Sequence, residues 1–481
     1  MQRVQEACMS AIGIIATIGP VSARAESLTA LRAAGMTVAR LNGSHNSLAW
    51  HRATIELLRR TVPDVPILFD IPGRKIRTTQ LVHEPSFKAG ETIILTTDTS
   101  HDGTLKVPVN FDGLHEQLHA DVRLYADDGT LSFIVTEING RDIYVRAIGD
   151  GTLRSRKGIN VPEVALGRDL VTDHDRNMVT FAKENGVDYV GISFVESAEH
   201  VDAIRTLIGT LTPRIVAKIE NQGGLDNLQD VVGAADVIMI DRGDLSVETD
   251  VDQVSVFQKK IIGVGQAHGK PVIVATELLH TMIDNPYPTK AEIGDITNAV
   301  IDGASLLMLS GETAIGRYPV EAVARLKSVS LVAQGHIVGK VPNVEPANEI
   351  ARAIRALTTT LPVNKIVVLS RSGYAAGLAA AALVDQPIIA ANSDPLVARS
   401  FNLIPGVQGV HVPQLAWRDS RSVIESLRVL RDQSILSDED VVLVVSANLG
   451  DDRYYLNSFQ TFRVGAVFSH VVNDEQWLAT A

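Results

Sequence analysis

The sequence predicts an α/β protein built on a closed barrel of eight parallel strands, a (β/α)8 barrel, with an inserted small β-barrel domain and a C-terminal α/β domain with an open sheet. Three observations predict it. Short β-branched runs alternate with helical patterns in two blocks, hairpin signals separate the blocks, and a second α/β pattern follows them. The length of 481 residues also exceeds what one hydrophobic core organises.

The first block reaches residue 78. Its apolar β-branched runs predict three strands, at residues 14–18, 37–41 and 67–70. The intervening patterns of apolar residues predict two helices, at residues 25–34 and 48–61. Polar residues such as Asn42, Ser44 and Asp70 fall at or just beyond the strand ends, where barrel active sites form.

The inserted domain is predicted at residues 79–158. Alternating stretches at 91–96, 131–138 and 142–148 are separated by Asp-Gly, Asn-Gly and Gly-Asp-Gly, which are typical of antiparallel hairpins. An all-β insertion in an α/β domain is the simplest interpretation. We expect it to act as a lid.

The second block and the C-terminal region complete the organisation. Strands are predicted at 189–194, 214–219, 237–240, 272–276 and 306–309, which brings the total to eight. Open sheets also reach eight strands, so the count favours a barrel without proving one. The barrel domain is therefore predicted at 1–78 and 159–340, and the open-sheet domain at 341–481. In the latter we expect a helix from residue 349 and strands at 365–369, 388–390, 409–412 and 441–445.

Charge and composition exclude several classes of protein. The net charge of −12, from 44 basic and 56 acidic residues, argues against a nucleic-acid partner. The single cysteine, Cys8, excludes an intramolecular disulfide and suits a reducing compartment. The first residues lack a secretory pattern, and the apolar run at 11–18 is too short to span a bilayer. A cytoplasmic protein without a membrane partner is expected.

The densest group of reactive side chains is Lys218, Glu220 and Asp244. Lys218 and Glu220 share one face of a strand, because side chains alternate with period two. Two carboxylates suit Mg²⁺, with Mn²⁺ as an alternative, and a lysine can neutralise a transferring phosphoryl group. The alternative is a surface Lys–Glu pair followed by an unrelated turn.

Further segments carry a family resemblance. They are ATIGP at 16–20, ARLNGSH at 39–45, KGINVP at 157–162, AKIEN at 217–221, RGDL at 242–245, AT at 275–276 with MI at 282–283, PTKAE at 288–292 and MLSGETA at 308–314. In this order and spacing they resemble pyruvate kinases, closely over residues 14–332 and more loosely beyond. The resemblance implies a TIM barrel and Mg²⁺-dependent transfer of the phosphoryl group of phosphoenolpyruvate to ADP. The products would be pyruvate and ATP, in the last step of glycolysis.

The resemblance also implies catalytic and substrate-binding roles. Glu220 and Asp244 would bind Mg²⁺, while Arg40 and Lys218 would hold the phosphoryl group. Backbone N–H groups of Gly243 and Asp244 would bind the substrate carboxylate.

Two groups complete the implied reaction. The Thr276 hydroxyl would help to bind the carboxylate, and the proton path to the enolate would run by Thr276 with Ser310 and Glu312 behind it. A relay through water and Glu312 is physically more plausible than direct donation, because a threonine hydroxyl has no useful acidity.

The implied nucleotide pocket comprises Pro20, Asn42, His45, Arg77 and Lys157. Trp50 also resembles a pocket residue, although helix packing explains it equally well, and His45 could be structural. Lys157 ends the insertion, so closure of the lid would bring its charge onto the phosphates.

The loop DIPGRKIRT at 70–78 departs from the family's usual DTKGPEIRT. Members that need K⁺ carry glutamate at the position of Lys75, and K⁺-independent members carry lysine. The cation site or its lysine replacement would comprise Asn42, Ser44, Asp70, Ile71 and Lys75. Because an ammonium can supply the charge of K⁺, we expect activity without K⁺; the alternative is that Lys75 is a solvated loop charge.

Other departures from the family pattern leave alternative functions open. Pro72 and Arg74 suggest a reshaped loop, while Asp241 replaces a small alanine and Glu277 a glutamine. Two extra acids could alter metal demand or substrate binding. They motivate an alternative function, a paralogue acting on another enol phosphate or acceptor; a pseudo-enzyme is the non-enzymatic alternative.

The C-terminal domain diverges most. Residues 370–376 resemble a loop that binds a sugar-phosphate effector, the alternative being an ordinary strand-to-helix turn, and the acids within 448–452 would repel a bisphosphate. The family resemblance implies a homotetramer.

Overall fold

A computed structural model describes residues 12–73, 75–127, 129–162, 170–338, 349–382, 384–413, 415, 421–448 and 456–474. Arg74 and residues 449–452, which were singled out in the sequence, lie outside these described residues.

Eight parallel strands close into the barrel, and the predicted fold class is confirmed. In chain order they are Gly13–Thr17, Val38–Asn42, Ile67–Ile71, Tyr189–Ile192, Arg214–Ile219, Val237–Asp241, Val272–Ala275 and Leu306–Leu309. Each strand pairs with its neighbours along the chain, and the first pairs with the eighth. The strands are rich in aliphatic residues because both of their faces are buried.

Three barrel strands end earlier than the sequence predicts. The first ends at Thr17 rather than residue 18, and the other two ends, on the fourth and seventh strands, lie at the candidate site. The fourth strand ends at Ile192 rather than residue 194, because Phe194 has φ 55°. The seventh ends at Ala275 because Thr276 has φ 68°. Neither dihedral is compatible with an extended strand. Both backbone turns redirect side chains at the open end of the barrel.

Helices surround the barrel and cover its outer apolar face. The α-helices are Ala25–Ala34, Leu48–Thr61, Asp173–Glu184, Ala198–Ile208, Gln222–Asp226, Leu228–Ala234, Arg242–Glu248, Val254–Ala267, Lys290–Asp302, Gly311–Ala314 and Pro319–Val338, with short 3-10 helices at Val251–Gln253 and His280–Ile283. Thr172 and Thr289 begin two of them with capping boxes, in which each threonine hydroxyl accepts from a backbone N–H.

The insertion is a curled sheet of seven strands with a separate pair of strands beside it. Its strands are Ile76–Arg77, Ser86–Phe87, Thr92–Thr96, Val107–Pro108, Arg123–Ala126, Leu131–Asn139, Asp142–Ala147, Gly151–Thr152 and Gly158–Asn160, and one short helix spans Leu114–Gln117. A bridge between Thr78 and Val109 joins the two edges of the seven-stranded sheet. The pairing is antiparallel except between Thr92–Thr96 and Val107–Pro108, which run parallel.

The inserted sheet lies against the open end of the barrel. The Asn160 amide donates to Glu248 Oε1 at 2.7 Å, which links the last inserted strand to the helix Arg242–Glu248. A Cβ on Gly129 would lie 2.9 Å from Val247 of that helix. The insertion therefore packs directly on the helix that follows the sixth barrel strand.

The C-terminal domain contains a five-stranded sheet in the order Val407–His411, Ile388–Asn392, Lys365–Leu369, Val441–Asn448 and Leu456–Arg463. Its helices are Glu349–Thr360, Tyr374–Ala380, Pro395–Ser400, Arg421–Asp432 and Val464–Asp474, with a 3-10 helix at Phe401–Leu403. Separate apolar clusters cover its two faces. The last strand is antiparallel and was not identified in the sequence.

The C-terminal domain docks on the amino end of the barrel strands. The Tyr189 hydroxyl donates to the Ser400 carbonyl at 2.6 Å, and Leu403 joins the apolar cluster inside the barrel. Asp188 pairs with Arg59 of the barrel at 2.7 Å and with Arg399 of the C-terminal domain at 2.8 Å. Within the described residues, every helix is too short or too polar to cross a membrane.

Candidate active site

The buried ammonium of Lys218 is the centre of the candidate site. Lys218 Nζ lies 2.8 Å from Glu220 Oε2 and 2.9 Å from Asp241 Oδ2. It also donates to the Ser193 hydroxyl at 3.2 Å. The Glu220 side chain is fully buried, and its Oε1 accepts from the Phe194 N–H at 2.7 Å. Three barrel strands thus converge on one lysine.

Burial and charge act in opposite directions on this cluster. Burial alone would lower the pKa of Lys218, but the carboxylates of Asp241 and Glu220 outweigh it and raise the pKa, so the ammonium stays charged. Burial raises the pKa of Glu220, against the attraction of Lys218. Burial acts in the same sense on Asp241, but Lys218 holds the pKa of that carboxyl below its ordinary value. Lys218 therefore stabilises negative charge most strongly on Asp241.

Three carboxylates are close enough together to hold a divalent cation. One ligand oxygen from each of Glu220, Asp241 and Asp244 lies within 4.8 Å of the others. Carboxylate oxygens at the mouth of a barrel suit Mg²⁺ or Mn²⁺. Lys75 forms an ion pair with Asp244 and lies 5.5 Å from the centre of the Phe194 ring. Each carboxylate of the group thus contacts a lysine.

Arg40 brings a second buried cation to the same end of the barrel. Its Nε lies 2.7 Å from Asp70 Oδ2, and it also donates to the Thr17 hydroxyl at 3.0 Å. The Asp70 carboxylate fits because its neighbour Gly191 has no side chain: a Cβ there would lie 1.9 Å from Asp70 Oδ1. Two fixed partners therefore orient the guanidinium.

The turn after the seventh strand faces the helix that carries Asp244. The Gly243 N–H donates to the Thr276 hydroxyl at 2.9 Å, and that hydroxyl lies 3.4 Å from Asp241 Oδ1. Arg242 donates to the Thr276 carbonyl at 2.6 Å while pairing with Asp295 at 2.8 Å. These contacts fix the hydroxyl of Thr276 beside the acidic cluster.

Glu312 is buried behind this turn, with both oxygens on backbone amides. Oε2 accepts from the Ser310 N–H at 2.8 Å, and Oε1 accepts from the Leu279 N–H at 3.2 Å. The Ser310 hydroxyl is buried and has no hydrogen-bond partner among the described residues. Within the described residues, Asp241 lies 3.4 Å from the Thr276 hydroxyl, whereas Glu312 accepts from backbone N–H groups of the neighbouring segments.

The expected nucleotide residues lie at the border of barrel and insertion. Arg77 donates to the Ser44 hydroxyl at 3.3 Å, and Asn42 Oδ1 accepts from the Ser44 N–H at 3.1 Å. Lys157 pairs with Asp127 at 2.6 Å, and Pro20 and His45 are exposed. The contact of Arg77 with Ser44 therefore joins the insertion to the loop after the second barrel strand.

Trp50 has the environment of a packing residue. It is partly buried against the barrel core and meets the ring of His51 edge-on at 5.1 Å. Burial lowers the pKa of His51, whose Nε2 contacts the His45 carbonyl at 2.8 Å. This environment favours the packing interpretation of Trp50.

The other residues that depart from the family pattern lie in different environments. Glu277 is exposed and has φ 57°, whereas Pro72 follows the third strand beside Gly73, where a Cβ would lie 2.3 Å from the Ser193 carbonyl. In the C-terminal loop the Ser370 hydroxyl accepts from the Gly373 N–H at 3.1 Å. That contact is typical of an ordinary strand-to-helix turn.

Sequence reasoning missed two supporting residues and part of the role of a third. Ser193 and Thr17 were not singled out, although both lie at the end of a barrel strand. Asp241 was treated as a departure from a pattern, whereas it contacts both Lys218 and Thr276. The position rule for barrel strands could have identified all three.

Comparisons with known proteins agree along nearly the whole chain. A family model described as the barrel domain of pyruvate kinase matches residues 9–323, and one described as its alpha/beta domain matches residues 348–457. The pyruvate kinase of Bacillus licheniformis is 34% identical over 91% of this chain and 78% of that protein. That of Schizosaccharomyces pombe is 34% identical over 91% and 92%. That of Borreliella burgdorferi is 31% identical over 90% and 93%.

Proposed function

The chain belongs to the pyruvate kinase family, and from that premise we propose how its barrel transfers the phosphoryl group of phosphoenolpyruvate to ADP. The chain is an enzyme of this type, a kinase of glycolysis that yields pyruvate and ATP. The observation that carries the residue-level proposal is the convergence of Lys218 with Glu220 and Asp241 at the open end of the barrel.

Arg40 and Lys218 hold the phosphoryl group in this proposal. Both are buried cations whose carboxylate partners fix their positions, so little reorganisation is needed when a charged group arrives. Lys218 lies between donor and acceptor and stabilises the negative charge of the phosphoryl group during transfer. Backbone N–H groups at Gly243 and Asp244, with the Thr276 hydroxyl, bind the substrate carboxylate.

Glu220 and Asp244 are the proposed ligands of the divalent metal, Mg²⁺ or Mn²⁺. Their oxygens lie close enough together to share one ion, and Mg²⁺ bound by two carboxylates keeps further ligand positions for water and substrate oxygens. When bound, the metal supplies positive charge that neutralises the carboxylate and phosphoryl oxygens of the substrate. The chain contributes the orientation of these carboxylates: the Phe194 N–H fixes Glu220.

Protonation of the enolate is assigned to the face of the site near Thr276. The Thr276 hydroxyl contacts Gly243 and Asp241, so it can orient a water molecule but does not itself supply an acidic proton. Glu312 and Ser310 lie behind the turn and complete the path, with Glu312 holding the Ser310 N–H. The proton therefore reaches the enolate carbon by way of water.

ADP and ATP are proposed to bind at Pro20, Asn42, His45, Arg77 and Lys157. Arg77 and Lys157 supply positive charge at the border of barrel and insertion. The contact between Asn160 and Glu248 joins the insertion to the helix of Asp244, so movement of the insertion is coupled to the substrate side.

Activity without K⁺ is the proposed consequence of Lys75. Its ammonium is buried in the site against Asp244, where it supplies a monovalent positive charge permanently. Asn42, Ser44, Asp70 and Ile71 would then form the surroundings of that charge rather than a cation site.

The K⁺ proposal is tested by turnover in Na⁺-free, tetramethylammonium-balanced buffer with and without K⁺. The wild type is expected to change less than about twofold, whereas Lys75→Glu should acquire activation by K⁺ because it loses the built-in cation. Strong activation of the wild type by K⁺ would contradict the proposal.

A homotetramer working in the cytoplasm is proposed from family membership. Exposed apolar side chains on the barrel helices and loops, among them Val256, Tyr287 and Ile315, offer surface for self-association. Sedimentation velocity at micromolar concentration distinguishes a tetramer from a dimer or monomer.

The proposed reaction is tested with a lactate-dehydrogenase-coupled assay containing phosphoenolpyruvate, ADP and Mg²⁺. We expect rapid NADH oxidation that requires the metal. Absence of turnover in a folded protein that binds the metal would favour the alternative, a paralogue acting on another enol phosphate or acceptor. That alternative is motivated by Pro72, Asp241 and Glu277.

A further inference from the structure

Asp241 gives the cluster around Lys218 one more negative than positive charge. Three carboxylates, on Glu220, Asp241 and Asp244, are paired with two ammonium groups, on Lys218 and Lys75. The nearby Arg40 is compensated by its own partner, Asp70. Without Asp241 the same group would be electrically balanced.

The two proposed metal ligands are the carboxylates that the lysines hold. Lys218 pairs with Glu220, and Lys75 pairs with Asp244. A carboxylate that becomes a metal ligand is no longer fully available to its lysine. A buried ammonium left without a counter-charge is costly, so Lys218 would compete with the metal for Glu220.

Asp241 removes this competition. Its Oδ2 lies 2.9 Å from Lys218 Nζ, almost as close as Glu220 at 2.8 Å, and the side chain is 9% exposed. Lys218 can therefore keep one full counter-charge while Glu220 binds a cation. The other oxygen of Asp241 lies 3.4 Å from the Thr276 hydroxyl, which donates more closely to the Ala275 carbonyl at 2.6 Å.

We propose that Asp241 is a positioning residue that retains Lys218 in its buried position when Glu220 is used as a metal ligand, and thereby strengthens binding of the divalent cation before substrate arrives. The inference rests on the proposed function, since it takes Glu220 and Asp244 as the metal ligands. It adds a residue to the site.

The test measures Mn²⁺ binding to the full chain without substrate, from the electron paramagnetic resonance signal of free Mn²⁺. Asp241→Asn keeps the shape and removes the charge, and it is expected to raise the Mn²⁺ dissociation constant about tenfold, because Lys218 then competes with the ion for Glu220. Asp241→Ala is expected to do the same. Thermal melting of both variants shows whether either has a folding defect. If one is misfolded, the other still tests the proposal.

Glu277→Gln is the matched control. It removes one acidic charge next to Thr276, but Glu277 is exposed, so water and salt screen it. Its Mn²⁺ dissociation constant should stay within about twofold of that of the wild type. Equal weakening in Glu277→Gln and Asp241→Asn would overturn the proposal, because general charge would then explain the effect.

Kinetics add a readout that separates positioning from damage to the fold. In Asp241→Asn the Mg²⁺ concentration for half-maximal activity should rise about tenfold. A merely structural defect would lower kcat and leave the Mg²⁺ requirement unchanged, and that result would overturn the proposal.

Glu220→Gln distinguishes failure of the inference from failure of the proposed function. If Glu220→Gln loses Mn²⁺ binding and Asp241→Asn does not, the inference about Asp241 is wrong and the metal site stands. If Glu220→Gln binds Mn²⁺ as the wild type does, the proposed metal site is wrong and the inference falls with it.

Discussion

The two ends of the barrel both bury an acidic residue, but they use it differently. At the amino end, Asp188 is fully buried, and its two oxygens pair with Arg59 and Arg399, whose side chains are 21% and 18% exposed. At the carboxyl end, the lysines that pair with three carboxylates are themselves almost completely buried, at 6% for Lys218 and 7% for Lys75. Water therefore reaches the cations at the amino end more readily than the lysines at the carboxyl end.

We propose that this difference separates a structural charge network from a functional one. The Asp188 network joins the barrel to the C-terminal domain, because Arg399 belongs to the latter. The Lys218 network joins only neighbouring strands of the barrel and keeps an unbalanced negative charge. We expect substitutions at the amino end to change stability, and substitutions at the carboxyl end to change catalysis.

The largest expected effect is on catalysis, from Lys218→Met. Loss of the ammonium removes the charge that stabilises the phosphoryl group, so kcat should fall by at least about a thousandfold. The coupled assay measures this, with thermal melting to show that the variant is folded. A folded variant with more than a tenth of wild-type kcat would show that Lys218 is not the central catalytic group.

The next effect is on stability, from Asp188→Asn. Two arginines lose their buried counter-charge, so the free energy of unfolding should fall by about 3 kcal/mol, measured with urea. The control is Asp64→Asn, whose ion pair with Arg32 is about half exposed and should contribute less than about 1 kcal/mol. If Asp188→Asn leaves the free energy of unfolding nearly unchanged but lowers the kcat of the folded protein, the division between the two ends is wrong.

A pH-dependent effect is expected at the contact between the insertion and the barrel. Burial raises the pKa of Glu248 to about 7, against the hydrogen bond from Asn160. The folded protein then binds a proton that the unfolded chain has released, so this group's contribution to stability falls as pH rises from about 4.5 to 7.

The difference in unfolding free energy between wild type and Glu248→Gln isolates this contribution. Relative to the variant, the wild type should lose about 2 kcal/mol between pH 5 and pH 8, on the order expected for a shift of this size. A difference that is constant over this range would show that Glu248 is not protonated in the folded protein.

The smallest effect is expected at the mouth of the site, from Lys157→Ala. The pair with Asp127 is partly exposed, so the free energy of unfolding should change by less than about 0.5 kcal/mol. If Lys157 binds the nucleotide, KM for ADP should rise about tenfold with little change in KM for phosphoenolpyruvate. Equal increases in KM for ADP and in KM for phosphoenolpyruvate would indicate that Lys157 acts in closure of the insertion rather than in nucleotide binding.

Much of the fold could be predicted from the sequence, because buried parallel strands consist of short aliphatic runs. Each of the eight barrel strands was identified, with errors of one or two residues at some ends. The errors at Phe194 and Thr276 arise because tertiary contacts hold these residues at positive φ, which their side chains do not signal. The edge strand Leu456–Arg463 was missed because its residues are mostly polar.

The candidate site could be predicted only as a set of residues. Their positions at strand ends predicted that Lys218 and Asp244 lie at the same end of the barrel. Which cation pairs with which acid depends on contacts between distant segments: Lys75 and Asp244 are 169 residues apart. The bridging contacts of Asp241 likewise arise from side-chain positions across three strands.

The central claim is that this carboxyl-end cluster transfers a phosphoryl group from phosphoenolpyruvate to ADP. It is tested most directly by ³¹P NMR of the two compounds with Mg²⁺ in K⁺-free buffer, using wild type and Glu220→Gln. The account predicts that the wild type converts the phosphoenolpyruvate signal into the γ-phosphate signal of ATP, and that Glu220→Gln leaves it unchanged. Absence of ATP with the wild type, or equal rates with both proteins, would contradict it.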